Sequence, residues 1–417
     1  MEAWPESVIA THAGLRGRPG VDLTEDVVRL AVTRFADLLV RESLPPTLGI
    51  ARDGRAQSAA LADLVEDAAL DRGLDTVDFG EVSTPTAKLA ARKRRLGGAV
   101  IVTGSHLEPD WNGLKLVAAP GYGPVDMRGL PAATSGGRSP RGHAGRDSQA
   151  AEDHVEAVCR AVDADRIRAA GLVVGWSGGV GQAPALALER LGCRPAASSP
   201  DIAFLLDSDG DRVSLVDERG GELDNETVLP LAALACEARA VIRSSDTSRT
   251  VDELVAERGG VVHVVSPGEL HLVDALVRLR GDLAGEGNGG VVIPEVGVAR
   301  DGLAAAAAII GLIARTGTPL SALAAGLPRF VIRRSTIPCL TLEEAQRTLE
   351  RLGAELAVAP STNAEDGISL ERGDAWALVR RSATEPVLRV TAEARTAEAA
   401  KALHVELLAL LGSEARA

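Results

Sequence analysis

A chain of 417 residues has room for about two to four domains, and 46% apolar residues can fill several cores, with Ala, Val and Leu dominating because only nine residues are aromatic. The net charge of −13 argues against a nucleic-acid or anionic-membrane surface, so any cations that meet a phosphate must be gathered locally. Cys159, Cys193, Cys236 and Cys339 are too scattered for a zinc motif and read as buried thiols of a reducing compartment, and no apolar run reaches membrane-spanning length.

From the N-terminus, Met1-Glu2-Ala3-Trp4-Pro5 lacks a signal-peptide pattern, so the expected location is cytoplasmic. Thr47 to Ala51 is strand-like and runs into the turn Arg52-Asp53-Gly54-Arg55, followed by a helical pattern from about Gln57 to Asp71. Thr76-Val77-Asp78-Phe79 is a further strand, and a helix follows Thr84-Pro85-Thr86. Gly98-Ala99-Val100-Ile101-Val102 reads as a buried strand. Strands alternating with helices predict a largely parallel, covered sheet. The stretch from about Pro120 to Ser148, rich in Gly, Pro, Ser and Arg, is expected to be a mobile linker. A second unit starts at Leu172-Val173-Val174-Gly175. A third contains the strand-like Val261-Val262-His263-Val264-Val265 and a helix-sized run from Leu303 to Ala314. The last unit is expected to hold a helix, strands at Trp376-Ala377-Leu378-Val379 and Val387-Leu388-Arg389-Val390, and a helix from Ala397 to Leu411.

Four polar segments interrupt this pattern. Asp207-Ser208-Asp209-Gly210-Asp211-Arg212 joins the strand-like runs Ile202–Leu206 and Val213–Val216. Three carboxylates so close repel one another unless they are solvated or a cation neutralises them, and an all-oxygen set selects a hard cation such as Mg²⁺. An EF-hand reading fails because Arg212 stands where that loop needs Gly at its sixth position, although Glu218 falls at its twelfth. Thr103-Gly104-Ser105-His106 follows a strand and places a hydroxyl where a substrate can approach, with Asp110-Trp111-Asn112-Gly113-Leu114-Lys115 beyond it. The bland alternative is a polar turn capped by Thr103 or Ser105. Gly285-Glu286-Gly287-Asn288-Gly289-Gly290 suits the reading of sugar hydroxyls, or forms a hairpin loop. Arg380-Arg381-Ser382-Ala383-Thr384-Glu385-Pro386 can surround a phosphate dianion, or is a solvated basic turn.

In this order the four segments resemble the α-D-phosphohexomutase family, which comprises phosphoglucomutases, phosphomannomutases and phosphoglucosamine mutases. That family carries a T-(A/G)-S-H-N-P-P serine loop, a D-x-D-x-D-R metal loop, a G-E-x-S/N-G sugar loop and an R-x-S-x-T-E-P-x-x-R phosphate loop. Its early G-(I/L)-R-G is matched by Gly14-Leu15-Arg16-Gly17, so the resemblance runs from Gly14 to Arg389, and G-E-G-N-G-G is nearest the archaeal-type form. The resemblance implies an α/β fold of four domains around a central cleft, three related α/β domains with mixed sheets and a C-terminal α+β domain. The expected boundaries are 1–147 with the serine loop, a shortened 148–222 with the metal loop, 223–334 with the sugar loop and 335–417 with the phosphate loop. It implies a Mg²⁺-dependent phosphomutase that interconverts hexose 1-phosphate and hexose 6-phosphate through a phosphoserine and a hexose 1,6-bisphosphate, which also serves as activator. Ser105, His106, Lys115, Arg16 and Arg212 would be catalytic, with Lys115 the candidate proton shuttle if its pKa is depressed. Asp207, Asp209, Asp211 and the Ser105 phosphate would hold the metal. Glu286 and Asn288 would bind the sugar, and Arg380, Ser382, Thr384 and Arg389 the non-reacting phosphate. The expected partners are sugar phosphates alone, in a monomer or homodimer.

The chain also departs from that pattern. Leu107, Glu108 and Pro109 stand where the family has Asn-Pro-Pro, which removes an amide that shapes the loop and sets Glu108 near a phosphoserine. Ala10-Thr11-His12 replaces an early F-G-T, and Ser266-Pro267-Gly268-Glu269 stands where many members place a Lys or His. The resemblance favours glucose and mannose substrates, with glucosamine next. A sugar-phosphate-binding paralogue with little turnover and a Mg²⁺-dependent phosphatase using Asp207 are the competing readings.

Overall fold

The computed structural model describes residues 4–5, 7–11, 14–105, 107–130, 140–196, 199–356, 367–382 and 386–412. Its contacts divide them into two compact units, one of residues 1–237 and 289–325, the other of 238–288 and 326–417. The expected segment 223–334 therefore contributes to both.

The first unit opens with a mixed sheet in which the strands lie in the order Ile9–Thr11, Gly14–Gly17, Asn112–Ala118, Gly98–Val102, Thr47–Arg52, Asp75–Glu81, Ala144–Arg146. The inner strands Gly98–Val102, Thr47–Arg52 and Asp75–Glu81 are parallel, and Asn112–Ala118 runs antiparallel between Gly98–Val102 and Gly14–Gly17. Gly98–Val102 is buried throughout, which explains its unbroken apolar sequence. The helix Glu25–Arg41 starts at Thr24, whose hydroxyl accepts from Val27 N, and carries Glu25 and Asp26 in its first turn. Its apolar stripe Val28, Val32, Phe35 and Leu39 packs into the core beside Leu48, Ile50, Val100 and Leu114. The helix Ser58–Asp71 shares this core through Leu61, Val65 and Ala69.

Of the expected linker, 120–130 and 140–148 are described and structured, while 131–139 lie outside the described residues. Ala144–Arg146 adds a parallel edge strand to Asp75–Glu81, and Tyr122, Met127 and Leu130 are buried. Apolar side chains hidden in a Gly- and Pro-rich sequence are what the composition did not reveal.

A second sheet of the same unit has the order Arg194–Pro195, Val173–Gly178, Ile202–Leu206, Val213–Val216. Ile202–Leu206 and Val213–Val216 form an antiparallel pair, so the acidic hexapeptide is the connection between them. The helix Gly302–Thr316 is apolar on nearly every side and correspondingly buried; Asp301 caps its start and Gly317 ends it in the left-handed region.

The second unit contains the parallel strands Val261–Val265, Ala240–Ser244 and Leu283–Gly285 with the helices Thr250–Glu257 and Glu269–Leu279. It also contains an antiparallel sheet in the order Val331–Pro338, Val387–Ala394, Ala375–Arg381, Ile368–Arg372. The helices Leu342–Glu355 and Ala397–Leu410 cover that sheet through Leu349, Leu352, Leu403 and Leu407. Glu393, fully buried, accepts from Ser248 Oγ, from Arg249 N at 3.0 Å and from Trp376 Nε1, tying the strand Val387–Ala394 to the loop after Ala240–Ser244. The fold is thus the expected α/β arrangement of mixed sheets followed by a C-terminal α+β part.

Two smaller expectations change. Cys236 is exposed and Cys159, Cys193 and Cys339 are half-buried, none of the four in a disulfide, because each sits near a helix or strand end and not inside a core. Among the described residues, no helix is long and apolar enough to cross a membrane.

Candidate active site

Strand ends place the reactive loops of the first unit. Thr47–Arg52 and Gly98–Val102 are parallel neighbours, so the loops that leave their C-terminal ends, Asp53-Gly54-Arg55 and Thr103-Gly104-Ser105, lie side by side. Ser105 is buried and adopts φ 49°, a left-handed conformation that a non-glycine residue holds only when its surroundings enforce it. Asp53 Oδ2 accepts from Gly104 N at 3.1 Å, and Thr103 Oγ1 accepts from Ser105 N at 2.9 Å. One guanidinium does most of the remaining work. Arg55 donates to the carbonyls of Ser105 and Leu107, both at 2.7 Å, of Glu108 at 2.6 Å and of Trp111 at 2.9 Å. A Cβ on Gly104 would lie 2.4 Å from Arg55 Cζ, so a larger residue there would displace that guanidinium from its carbonyls. Arg55 thus gathers the carbonyls of the altered Leu107-Glu108 segment, and the Glu108 side chain is exposed.

The acidic loop meets this serine loop directly: Ser208 Oγ donates to Ser105 O at 2.5 Å. Lys115, from the adjacent strand Asn112–Ala118, donates to Asp209 Oδ2 at 2.5 Å and to Asp211 Oδ2 at 2.8 Å. Arg16 donates to Thr103 O at 3.1 Å and feels both Asp209 and Asp211. A Cβ on Gly113 would fall 2.4 Å from the backbone carbonyl oxygen of Leu15, which explains that glycine. Arg212 folds back on Asp207, with its backbone N at 3.0 Å from Asp207 Oδ1 and its Nε at 3.2 Å from Oδ2. Arg300, which nothing in its local sequence singles out, reaches Asp211 Oδ2 at 3.3 Å.

Charge and burial set the protonation of this cluster. Burial, then Asp209 and Asp211, push the Asp207 carboxyl up to about 7, against the smaller pull of Arg212. Burial also penalises the Asp209 carboxylate, but Lys115, Arg16 and Arg212 outweigh it and hold Asp209 below the ordinary carboxylate range. For Lys115, burial favours the neutral amine, yet Asp209 and Asp211 prevail and its pKa is raised. The depressed pKa that a proton-shuttling lysine needs is therefore not found in this arrangement; Lys115 is a held cation. Burial lowers the pKa of Arg16, and Asp209 and Asp211 oppose it.

Among the described residues, no three His, Cys, Asp or Glu side chains converge at metal-ligand spacing; the Lys115 ammonium instead bridges two of the three expected carboxylates. Even so, the donors fit a hard cation. Asp209 Oδ1 is buried without a hydrogen bond, and so is Asp207 Oδ2 despite the nearby Arg212 Nε. Buried carboxylate oxygens left in this condition are stabilised by a cation.

The second unit carries the remaining candidates. Glu286, buried, accepts from Gly268 N at 2.9 Å and from Asn288 Nδ2 at 3.3 Å, so the Ser266-Pro267-Gly268-Glu269 segment supports the sugar loop through its backbone. Gly287 N donates to Thr247 Oγ1 at 3.0 Å. Arg380 and Arg389 are paired across the antiparallel strands, and Ser382, buried, follows at the strand end. Arg380 Nη2 is held by Asp246 Oδ2 at 2.7 Å. His106 and Thr384 lie outside the described residues.

Sequence reasoning missed Arg55, Ser208, Arg300 and Asp246, whose partners are far away along the chain. Only Arg55 had a readable signal, its position in a turn at the end of a central parallel strand.

A serine loop bound to an acidic loop, with both ringed by cations, defines an α/β protein built for phosphoryl chemistry. Residues 8–126 match phosphoglucomutase/phosphomannomutase alpha/beta/alpha domain I, residues 225–330 its alpha/beta/alpha domain III, and residues 341–410 its C-terminal domain. A probable phosphoglucosamine mutase of Methanopyrus kandleri is 29% identical, over 95% of this chain and 96% of its own. A phosphoglucomutase/phosphomannomutase of Thermococcus kodakarensis is 28% identical, over 93% and 95%. The crystal structure of a phosphoglucomutase/phosphomannomutase family protein from Burkholderia thailandensis superposes with a TM-score of 0.81 at 24% identity, covering 98% of both chains. The chain belongs to the phosphohexomutase family.

Proposed function

We propose that this protein is a Mg²⁺-dependent phosphomutase that interconverts hexose 1-phosphate and hexose 6-phosphate, with glucose and mannose as its sugars. The observation that carries the reading is the joining of the two loops: Ser208 binds the Ser105 carbonyl while Lys115 links Asp209 and Asp211 within the same buried cluster. A phosphatase working through Asp207 would have no need of this construction around a serine.

In this reading a phosphorylated Ser105 gives its phosphoryl group to the free hydroxyl of a hexose phosphate. The P–O bond to Ser105 breaks as the bond to the sugar oxygen forms, and the proton of that sugar hydroxyl ends on the released Ser105 oxygen. The resulting 1,6-bisphosphate then returns its other phosphoryl group to Ser105. Asp207, Asp209 and Asp211, with an oxygen of the Ser105 phosphate, would hold Mg²⁺, which when bound supplies positive charge to the transferring phosphoryl oxygens. Arg16, Lys115 and Arg212 add fixed cations to that charge, and Arg300 steadies Asp211. His106, Glu286 and Asn288 are assigned to the serine loop and the sugar hydroxyls, and Arg380, Ser382, Thr384 and Arg389 to the phosphate that does not react. The assigned domains keep the boundaries 1–147, 148–222, 223–334 and 335–417, and the assigned location is the cytoplasm.

A phosphoglucosamine mutase is the second reading, favoured by the name of the Methanopyrus kandleri relative. One experiment separates the possibilities. ³¹P NMR follows the 1-phosphates of glucose, mannose, glucosamine and N-acetylglucosamine with Mg²⁺ and a trace of glucose 1,6-bisphosphate. Conversion of glucose and mannose 1-phosphate to the 6-phosphates without inorganic phosphate is expected. Conversion of glucosamine 1-phosphate alone would select the second reading. Accumulating inorganic phosphate, or no conversion in any tube, would overturn both.

A further inference from the structure

The acidic loop is gripped from behind by its backbone. The carbonyl of Asp209 accepts from Thr84 N at 2.9 Å, and that of Gly210 from Gly302 N at 3.0 Å. Both donors are first-turn amides, of the helices Thr84–Lys93 and Gly302–Thr316, and such amides have no acceptor within their own helix. Gly210 has φ 75°, and a Cβ on it would lie 2.8 Å from Ser83 Cβ, so the loop rests against the start of the first helix with no space between.

The two helix starts are themselves joined by a buried chain of side chains. Ser83 Oγ shares a hydrogen bond of 2.7 Å with Thr86 Oγ1, and Thr86 Oγ1 shares one of 2.7 Å with His154 Nδ1. His154 Nε2 lies 2.6 Å from Asp301 Oδ2, and Asp301 Oδ1 accepts from Ala304 N at 3.0 Å. Thr86 and His154 are 0% exposed and Asp301 3%. His154 comes from a third helix, Ala150–Arg160, so the chain joins segments assigned above to domains 1, 2 and 3. Apolar side chains of the same size would pack here without the desolvation cost of an imidazole and a carboxylate. A fully satisfied polar chain supplies what they could not, one fixed geometry. The residue before Asp301 is Arg300, the partner of Asp211, so both the backbone of the acidic loop and one of its carboxylates are referred to this chain.

We propose that Ser83, Thr86, His154 and Asp301 are positioning residues that fix the acidic loop in the conformation that binds a divalent cation, with His154 as the central member. The proposal rests on the metal-loop reading above. Partners hydrogen-bonded directly to metal ligands usually change metal affinity by about 10–100-fold when removed, and a chain one step further out is expected at the lower end of that range. The test is Mn²⁺ binding by EPR to the full chain, for wild type, His154→Leu, Thr86→Val and Asp209→Asn, with circular dichroism to check folding. Binding of hexose 6-phosphate in EDTA, by calorimetry, is measured alongside. His154→Leu and Thr86→Val are expected to weaken Mn²⁺ binding about tenfold and to leave hexose 6-phosphate affinity within about twofold. Thr86→Val is nearly isosteric and carries the test if His154→Leu does not fold. Loss of Mn²⁺ binding in Asp209→Asn, with wild-type affinity in a folded Thr86→Val or His154→Leu, would overturn this inference alone. Wild-type Mn²⁺ affinity in Asp209→Asn would overturn the metal-loop reading and the inference with it.

Discussion

Asp207 shows how a single side chain reports on the site it serves. Its carboxyl is raised from 3.8 to about 7 by burial and by two neighbouring carboxylates, so the metal-free protein is strained by its ionisation. The sign follows from linkage. Below the unfolded-state pKa the group is protonated in both states and costs nothing; the penalty grows as pH rises toward 7 and is constant above it. Asp207→Asn removes the charge and retains an oxygen for the backbone amide of Arg212. In EDTA this variant should therefore be more stable than wild type at pH 8, by on the order of 2 kcal/mol, and nearly equal to it at pH 4. Urea denaturation at the two pH values measures this. The same variant should lose stabilisation by Mg²⁺ and most of its turnover, because the oxygen it neutralises is a proposed ligand. Equal stability at pH 8 would mean that the three carboxylates do not repel one another as described.

At the scale of elements, the serine loop depends on a residue in a different loop. Arg55 satisfies four carbonyls between Ser105 and Trp111, and no lysine can reach four acceptors in that fan. Arg55→Lys should lower kcat by about tenfold or more while the substrate KM moves little, since each lost hydrogen bond to a charged donor is worth about 1.5–3 kcal/mol and the loop holds the proposed phosphoryl carrier Ser105. Steady-state kinetics give both numbers; a raised KM with unchanged kcat would instead place Arg55 in substrate binding. This element also shows what a sequence can and cannot display. The strands on both sides of the acidic hexapeptide were legible to the residue, because apolar runs ended by charged loops have a strong local signature. The donor that shapes the serine loop was not, because Arg55 and Ser105 are 50 positions apart and nothing local in Arg52-Asp53-Gly54-Arg55 distinguishes a structural fork from a solvated turn. The same holds for His154 and Asp301, which are 147 positions apart. In the second unit Glu393 is such a case: three donors converge on it, and Glu393→Ala would leave Ser248 Oγ, Arg249 N and Trp376 Nε1 buried without it. A loss of about 3 kcal/mol is expected, read from urea unfolding followed by the fluorescence of Trp376 with the other three tryptophans replaced by Phe. A midpoint unchanged from the parent protein would show that these donors find other acceptors.

For the whole molecule, the proposed reaction divides its tasks between the two units. The serine loop, the three aspartates and Lys115 belong to the first unit, and Glu286, Asn288, Arg380, Ser382 and Arg389 to the second. In the proposed reaction the first set acts on a phosphoryl group whose charge changes during transfer, and the second holds groups that do not react. Interactions made mainly in the transition state govern kcat, while uniform interactions govern KM. Lys115→Met should then reduce kcat by about a hundredfold with KM changed by less than about threefold, because in the proposed reaction the lost cation acts on the transferring group. Arg380→Gln should do the reverse, raising the hexose-phosphate KM about tenfold at nearly constant kcat, because a charged hydrogen bond to phosphate is worth about 1.5–3 kcal/mol and part of that is already committed to Asp246. Mn²⁺ affinity gives an independent reading of the same division: Arg380→Gln should leave it unaltered, since no proposed metal ligand lies in the second unit. If Arg380→Gln instead depressed kcat by as much as Lys115→Met, the phosphate loop would be acting in the chemical step, and the assignment of binding to one unit and chemistry to the other would fail.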